Sequence, residues 1–289
     1  MKNSIFLLTA IMLLPLLACT PEGAEKEEFA STQLIINSFL DVSESRHIVR
    51  LSCETGGRRV AAEGAELYCT VGEGSPVRAE EALLEGAGAY CFCADLVRGE
   101  RVRIEAVYNG LRASACVKVP DHACLLSLVD VREKDGLLIA DCSISKAYNG
   151  SPYCRLRMRL RYPDGSCSEE LCPYHKDNDL LDRRLGNDAS DKFFESGACS
   201  NHYCIFASSY IRSSTTVQTQ IKLDELPDER DDAYALEVSL LSFDNELYDY
   251  YSVLNLIYDA YSGFSLPSNV SGGKGFVGIF IPSTIVLEP

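Results

Sequence analysis

Apolar and polar residues alternate along most of residues 32–120, with the two-residue period of a half-buried β-strand. The run "HIVRLSC" places Val49, Leu51 and Cys53 on one face, and "RVRIEAVY" alternates in the same way over residues 101–108. Short Gly-containing or charged turns such as "ETGGRR" and "GEGSP" separate these runs. Many short strands with turns between them predict antiparallel sheets packed face to face. We therefore predict an Ig-like or transthyretin-like β-sandwich over residues 32–121.

The same period continues through residues 122–289, for which we predict a second β-rich domain. Its cleanest strand is "YCRLRMRLRY", with apolar residues on one face and Arg155, Arg157, Arg159 and Arg161 on the other. A polar region over residues 163–200 follows. It is too long for a hairpin loop, so we predict a functional or mobile insertion.

One segment breaks the strand pattern with the period of an amphipathic helix. "DNELYDYYSVLNLIYDAYS" begins with Asp244 as a plausible N-cap. We expect its buried stripe to contain Leu247, Tyr250, Tyr251, Leu254, Tyr258 and Tyr261. The chain is therefore predicted to be all-β and mainly antiparallel, with one amphipathic helix in the second domain.

The first eighteen residues have the three parts of an export signal. Lys2 gives the positive start, Ile5 to Leu17 the apolar centre, and Ala18 the small residue before cleavage. Leu16-Leu17-Ala18-Cys19 resembles the lipobox of bacterial lipoproteins, in which the cysteine carries the lipid. We predict a lipoprotein signal peptide over residues 1–18 and lipidation of Cys19; the alternative is an ordinary secretory signal.

Residues 19–31 contain too little apolar surface to fold, so we predict a flexible acidic tether. Lys26-Glu27-Glu28 also resembles the acidic signals that send some Bacteroidetes lipoproteins to the cell surface. Removing residues 1–18 takes away Lys2 and no acid, so the net charge goes from −15 to −16. Such a charge argues against nucleic acid as a partner.

Twelve cysteines follow Cys19, and two interpretations of them remain open. An even number in an exported chain is typical of a disulfide framework. Several cysteines, however, occupy inward strand positions, where a thiol behaves as a small hydrophobe; these are Cys53, Cys69, Cys116 and Cys142.

Four cysteines around the polar insertion are candidate disulfide partners of unknown pairing: Cys167, Cys172, Cys199 and Cys204. A repeated Cys-x-x-His spacing gives a less favoured alternative, because two Cys and two His could hold zinc. That metal site would consist of Cys172, His175, Cys199 and His202.

The four-arginine face is a weak candidate for anion binding, since guanidinium groups suit phosphate and carboxylate. A solvated or carboxylate-paired sheet face is the favoured interpretation. The Gly-rich "GGKGFVG" precedes an apolar strand rather than a helix, which argues against a nucleotide site and for a tight turn. We find no other motif of a known enzyme class, and we predict neither catalytic activity nor a cofactor.

Several segments resemble one family in sequence and order. They are "GAYCFCADLVRGERVRIEAVYNGLRASACVKVP", "YCRLRMRL", "SFDNELYDYYSVL" and above all "SNVSGGKGFVGIF". The chain is similar, from about Gln33 onward, to the exported Bacteroidetes lipoproteins catalogued as domain of unknown function 4249. Its cysteine richness departs from that pattern. The resemblance implies a two-part β-rich body at the outer membrane and an accessory role beside TonB-dependent transporters. It implies no catalytic residues.

These observations lead to an expected function. We expect a non-enzymatic lipoprotein, anchored in the outer membrane through Cys19, with exposure at the cell surface as one of the two orientations of that anchor. We expect it to assist TonB-dependent uptake or to bind an extracellular ligand. The alternative is a structural or adhesive cell-surface lipoprotein.

Overall fold

The structure is a computed structural model that describes residues 32–82, 85–146, 153–168, 170–171, 203–211, 215–222, 235–258 and 264–287. The predicted signal peptide and tether lie outside these residues. The described chain is dominated by strands and contains a single α-helix, so the all-β prediction is confirmed. No helix in this part is long and apolar enough to span a membrane.

The strands are numbered in chain order. The first nine are β1 (Gln33–Asp41), β2 (Arg46–Thr55), β3 (Arg58–Ala61), β4 (Glu66–Val71), β5 (Val77–Arg78), β6 (Glu80–Glu81), β7 (Ala89–Cys93), β8 (Arg101–Tyr108) and β9 (Leu111–Lys118). The remaining strands are β10 (Cys124–Lys134), β11 (Leu137–Lys146), β12 (Tyr153–Arg161), β13 (Ile205–Ala207), β14 (Thr215–Lys222), β15 (Ala235–Phe243), β16 (Val270–Ser271) and β17 (Gly273–Leu287). The helix α1 is Asn245–Tyr258.

The strands form three sheets. A nine-stranded sheet has the order β13-β12-β15-β17-β1-β2-β7-β6, with β3 also paired to β2. A five-stranded sheet has the order β16-β9-β8-β4-β5, and a three-stranded sheet the order β10-β11-β14. All pairs are antiparallel except β1 and β17, which run parallel. This parallel pair joins the first strand of the body to its last.

Glycines allow β17 to lie against β1. A Cβ atom on Gly275 would lie 2.0 Å from the carbonyl oxygen of Ile36, and its φ of +112° disfavours any L side chain. A Cβ on Gly273 would lie 2.4 Å from the Leu34 carbonyl oxygen. The Gly-rich segment was predicted as a tight turn before a strand. Only Gly272 lies between two strands, whereas Gly273 and Gly275 are paired within β17 itself.

Three hydrophobic clusters hold the sheets together. The first is formed by the nine-stranded and five-stranded sheets, for example Leu34 and Leu51 with Leu67 and Ile104. The second is formed by the three-stranded sheet and β12 and β15, and the third by α1 on the opposite face. The apolar face predicted for β12 is confirmed, because its Cys, Leu and Met residues are buried in the second cluster.

The last strand contributes to all three clusters. Val277 belongs to the first cluster, Phe280 to the third and Leu287 to the second. The division into residues 32–121 and 122–289 stays a prediction. The fifteen residues of β17 pair with β1 on one side and with β15 on the other, so this strand joins the two predicted domains in one sheet.

The helix prediction is correct in position and cap. The backbone N–H of Leu247 donates to Asp244 Oδ1 over 3.2 Å, the bond expected of an N-cap. The buried stripe differs from the predicted one, since Ser252 and Asn255 are buried and Tyr258 is 61% exposed. The expectation for Tyr258 was wrong because the buried face of the helix runs through Tyr248, Tyr251 and Asn255 instead. Tyr261 lies outside the described residues.

The start of the predicted insertion, residues 163–200, folds back along β12. Leu171 and Cys167 form isolated bridges with Met158 and Arg161. The N–H of Leu171 donates to the Met158 carbonyl oxygen over 2.9 Å. These residues lie along the edge of β12 that faces away from β15. Residues 172–202 lie outside the described part of the chain.

Candidate functional site

Three of the four arginines predicted on one face of β12 are at least partly buried, and Arg155 among them contacts α1. We call Arg155, Arg157 and Arg159 the arginine cluster. Arg155 is 5% exposed, the other two are intermediate, and Arg161 is exposed at the strand end. The alternation of β12 places this face opposite the second hydrophobic cluster. Helix α1 and Phe280 then cover the same face.

Arg155 is the most completely bound member of the arginine cluster. Its Nε donates to the Tyr203 carbonyl oxygen over 3.0 Å, and one Nη donates to the Tyr251 hydroxyl over 2.9 Å. The other Nη forms a salt bridge with Glu170. The guanidinium carbon also lies 4.4 Å from the Tyr251 ring centroid and 5.0 Å from that of Tyr203. This side chain therefore joins β12, the start of the insertion and α1.

Glu237 of β15 supplies the negative charge for the other two arginines. Its Oε1 accepts a hydrogen bond of 2.6 Å from Arg159 Nε and lies 3.8 Å from Arg157 Nη2. Ser239 donates to the same oxygen over 3.2 Å. Within the described part of the chain, Arg157 Nε is buried without a hydrogen-bond partner.

The pKa values follow this arrangement. Burial disfavours the charged form of Arg155, but Tyr251 and Glu170 outweigh it, and its pKa is raised. Burial and the neighbouring Arg159 lower the pKa of Arg157, against the opposing effect of Glu237. Arg155 and Arg159 are thus strongly held as cations, whereas Arg157 is the least satisfied charge.

The charges of the arginine cluster are balanced within the protein. Glu170 and Glu237 make the ion pairs, and Asp41 adds a further favourable charge to Arg157 and Arg159. The paired-face interpretation therefore describes these residues, and anion binding by Arg155, Arg157, Arg159 and Arg161 stays an untested prediction. The acidic composition indicated that partners exist. It did not indicate which carboxylates they are, because the pairing spans up to 78 residues of sequence.

A second candidate surface is the far end of the three-stranded sheet. We call residues 128–139, the end of β10 and the start of β11, the exposed hairpin. Its turn residues Asp135 and Gly136 both have positive φ, as in a type I′ turn. Leu128 is 43% exposed and Val129 61%, and no residue of β10 after Leu126 is buried. A register irregularity between Leu128 and Asp130 places Val129 in a bulge.

Polar contacts fix the shape of the exposed hairpin. Arg132 forms salt bridges with Asp130, over 3.0 Å, and with Asp141. Gln218 of β14 donates to Asp141 Oδ1 over 2.7 Å. The apolar side chains of Leu128, Val129 and Val131 are therefore presented by an ordered sheet. Clustered exposed apolar residues on an edge strand are typical of protein-docking surfaces.

A groove lined by residues of β5, β6 and β7 has the volume of a small-ligand site, about 410 Å³. Its wall includes Arg78, Glu80, Glu81 and Tyr90. The Tyr90 hydroxyl is already used, since it donates to the Ala62 carbonyl oxygen over 2.5 Å and accepts from the Ala65 N–H. The groove therefore contains exposed charges but no unsatisfied buried polar group among the residues named here.

The cysteines of the described chain differ in burial, which leaves both interpretations of them open. Free thiols are found at Cys53, Cys69, Cys91, Cys93, Cys116, Cys124, Cys142, Cys154 and Cys167. Burial raises the pKa of Cys69 to about 12 and that of Cys142 to about 11, which makes both unreactive. Cys116 was expected to be buried and is exposed, because Ala115 and Val117 take the inward positions of β9.

The candidate sites around the insertion are only partly visible. Of the four predicted disulfide partners, Cys167 is a free thiol, Cys204 is buried, and Cys172 and Cys199 lie outside the described residues. The alternative zinc ligands Cys172, His175, Cys199 and His202 all lie outside them as well. No group of three or more His, Cys, Asp and Glu side chains in the described ranges is placed to hold a metal ion.

Comparison with known proteins gives a family but no activity. No curated protein matches the chain. Two similar solved structures are a DUF4785 family protein from Legionella pneumophila, at 9% identity and a TM-score of 0.24, and a DUF3823 family protein from Bacteroides ovatus, at 12% and 0.22. The matches cover 75% and 73% of this chain and 54% and 91% of those chains, respectively. The chain thus spans about half the length of the Legionella protein, and these TM-scores carry no structural argument.

The family model is more informative, because its match extends over residues 22–285 and so includes both the first strand β1 and almost all of β17. The resemblance found in the motifs "YCRLRMRL" and "SNVSGGKGFVGIF" is confirmed. The protein belongs to the family described as Domain of unknown function (DUF4249).

Proposed function

We propose that this protein is a lipid-anchored, non-enzymatic component of the outer membrane that assists TonB-dependent uptake. The observation that carries the proposal is the placement of Cys19, directly after an apolar signal and thirteen positions before the described chain begins at Thr32. Strand β1 begins at Gln33, in the interior of the nine-stranded sheet, and pairs with both β17 and β2. A lipid on Cys19 would therefore be attached, through a short segment, to a strand that is paired on both sides.

The tether length sets how close the body stays to the membrane. Residues 20–31, fully extended at roughly 3.3–3.6 Å each, reach about 40 Å. A body held within that distance has a high effective concentration near a partner in the same membrane. Anchoring thus provides accessory function without requiring tight binding in solution.

The exposed hairpin is our candidate for the docking surface. Strand β10 is an edge of its sheet, and the apolar side chains of Leu128, Val129 and Val131 lie outside the core. A partner strand could pair with this edge while its side chains cover the apolar residues. The partner we propose is a TonB-dependent transporter, as the family resemblance implies.

The anchor is tested by growing cells with an alkyne-labelled fatty acid. We expect the label on the wild-type protein in the outer-membrane fraction and none on Cys19→Ser. Cys93→Ser is the matched control, since Cys93 is also exposed but lies in the folded body. Equal labelling of wild-type and Cys19→Ser protein would contradict lipidation at Cys19.

Docking is tested by affinity purification of the tagged, full-length protein from mildly solubilised outer membranes, followed by mass spectrometry. We expect a TonB-dependent transporter in stoichiometric amount with wild-type protein and a strong loss with Val129→Lys. Val97→Lys is the control, because Val97 is 50% exposed and lies outside the exposed hairpin. Equal recovery of the transporter with both variants would contradict docking through the hairpin.

The alternative function is a structural or adhesive surface lipoprotein. An exposed apolar edge strand also favours pairing between copies of the same chain. Recovery of the protein alone, in several detergents, together with Val129-dependent self-association, would support this alternative against the transporter role.

A further inference from the structure

Two buried cysteines from different sheets meet in the second hydrophobic cluster. Cys124 is the first residue of β10, in the three-stranded sheet, and Cys154 is the second residue of β12, in the nine-stranded sheet. Both side chains are 0% exposed. The chain between them forms β10, β11 and the connection to β12, so the contact is made by folding and not by sequence proximity.

The hydroxyl of Ser242 shows how close the two residues are. Ser242 lies beside Cys154 in the pairing of β12 with β15, and its Oγ is 3.9 Å from Cys154 Sγ. The same Oγ accepts the backbone N–H of Cys124 over 2.9 Å. One small hydroxyl therefore touches both cysteines, from the sheet that carries Cys154.

The two side chains are also close enough to change each other's pKa, which is lowered for Cys124 and raised for Cys154. Cys142 lies in the same cluster and is equally buried, but its pKa is changed by other causes. Burial together with Asp141 raises it to about 11.

We propose that Cys124 and Cys154 form an inter-sheet disulfide in the exported protein. The two S–H bonds break, one S–S bond forms, and two electrons and two protons pass to the disulfide of a thiol–disulfide oxidoreductase, which becomes a dithiol. The thiolate of one cysteine attacks the oxidoreductase disulfide, and the second cysteine then displaces the oxidoreductase from the mixed disulfide. Since both sulfurs are buried in the folded body, the exchange takes place before β10 closes over β12.

The bond would change how the three-stranded sheet is held. In the reduced protein, this end of β10 is attached to β12 and β15 by apolar contacts and by the Cys124–Ser242 hydrogen bond. A covalent link would fix the base of the strand whose far end carries the exposed hairpin. It would also close a loop of about thirty residues, which destabilises the unfolded chain.

The pairing is tested on residues 19–289 with Cys19→Ser, refolded in a buffer of oxidised and reduced glutathione. Remaining thiols are alkylated, the protein is digested without reduction, and linked peptides are identified by mass spectrometry. We expect a peptide pair joined through Cys124 and Cys154. Complete alkylation of both residues, or a link from either one to another cysteine such as Cys204, would overturn the proposal.

Stability gives a second readout that does not depend on the digest. We expect dithiothreitol to lower the urea midpoint of the wild-type body, and to leave that of Cys124→Ala/Cys154→Ala unchanged. Cys142→Ala is the matched control and should keep the dithiothreitol effect. Loss of the effect in Cys142→Ala and its retention in the double variant would overturn the assignment.

The same digest, applied to protein purified from cell envelopes, tests the proposed export separately from the Cys124–Cys154 pairing. The geometry supports the pairing, whereas the oxidising compartment rests on the proposed function. A bond that forms in the refolding buffer supports the pairing even if the cellular protein is reduced at both residues. That second result would count against export to an oxidising compartment.

Discussion

Replacing Gly275 by alanine tests the parallel pairing of β1 and β17, which joins the two ends of the body. The new Cβ would lie 2.0 Å from the carbonyl oxygen of Ile36 and 2.9 Å from its backbone nitrogen. Both are backbone atoms, so no side-chain rotation relieves the contact. The two strands must move apart by about 1.5 Å, the difference between this contact and ordinary packing distances of about 3.5 Å.

The expected loss has two parts. A non-glycine residue at the φ of +112° costs about 1–3 kcal/mol. Strand separation weakens at least one or two ladder hydrogen bonds, at about 0.5–1.5 kcal/mol each. The free energy of unfolding should therefore fall by about 1.5–6 kcal/mol, a large share of the 5–15 kcal/mol that domains typically have.

Two further glycines make this a graded series. Gly110 has φ +81° and open space around its Cβ position, so Gly110→Ala tests backbone strain alone. We expect about 1 kcal/mol for it, because the left-handed penalty is partly offset by a less flexible unfolded chain. A Cβ on Gly278 would meet a Leu247 side-chain atom at 2.9 Å, which can shift, so Gly278→Ala should fall between the other two.

The assay is urea unfolding of the Cys19→Ser body, followed by circular dichroism and tyrosine fluorescence, since the chain has no Trp. If Gly275→Ala gives no folded protein while Gly110→Ala folds, the result agrees with the expected order of stabilities, in which Gly275→Ala is the least stable variant. Equal stability of Gly275→Ala and Gly110→Ala would refute the close approach of β17 to β1.

Three other substitutions test the contacts described above by the same unfolding assay. Arg155→Ala should cost at least about 2 kcal/mol, because it leaves the Tyr203 carbonyl oxygen and the Tyr251 hydroxyl without their donor, at about 1–3 kcal/mol each. Arg161→Ala, at an exposed position, should change stability by less than about 0.5 kcal/mol; similar losses for both would contradict the buried network. Asp141 has a pKa below its ordinary value of 3.8, because Arg132 and Gln218 outweigh the effect of burial. The ionised carboxylate therefore stabilises the fold above about pH 4, and this stabilisation is lost as pH falls through the lowered pKa. Asp141→Asn should reduce the loss of stability between pH 4 and pH 2, and an unchanged acid profile would argue against this ion pair. Asp244→Ala removes the N-cap of α1 and should cost about 0.5–2 kcal/mol; an unchanged urea midpoint would show that the capping bond contributes nothing.

The sequence determined the class of local structure because each strand of this fold is half buried. Residues such as Val49 and Leu51, or the apolar series in β12, alternate with polar neighbours, so the two-residue period can be read without knowing the partner strand. The helix and its Asp244 cap were found for the same reason, since both depend on contacts within a few residues. The lipidation proposed for Cys19 likewise rests on a local pattern.

The tertiary structure decided which strands pair and what covers each face. The sequence predicts a solvated or carboxylate-paired arginine face, and only the tertiary structure decides that Glu237 of the neighbouring β15 and Tyr251 of α1 are among its partners. The glycines of β17 read as a turn, and only the approach of Ile36 gives them their role. Likewise, the meeting of Cys124 and Cys154 depends on two sheets closing over each other. The alternation of apolar and polar residues follows from burial within one chain segment, so it can be read from that segment alone. These contacts join segments far apart in sequence, and the alternation within one segment does not indicate which other segment packs against it.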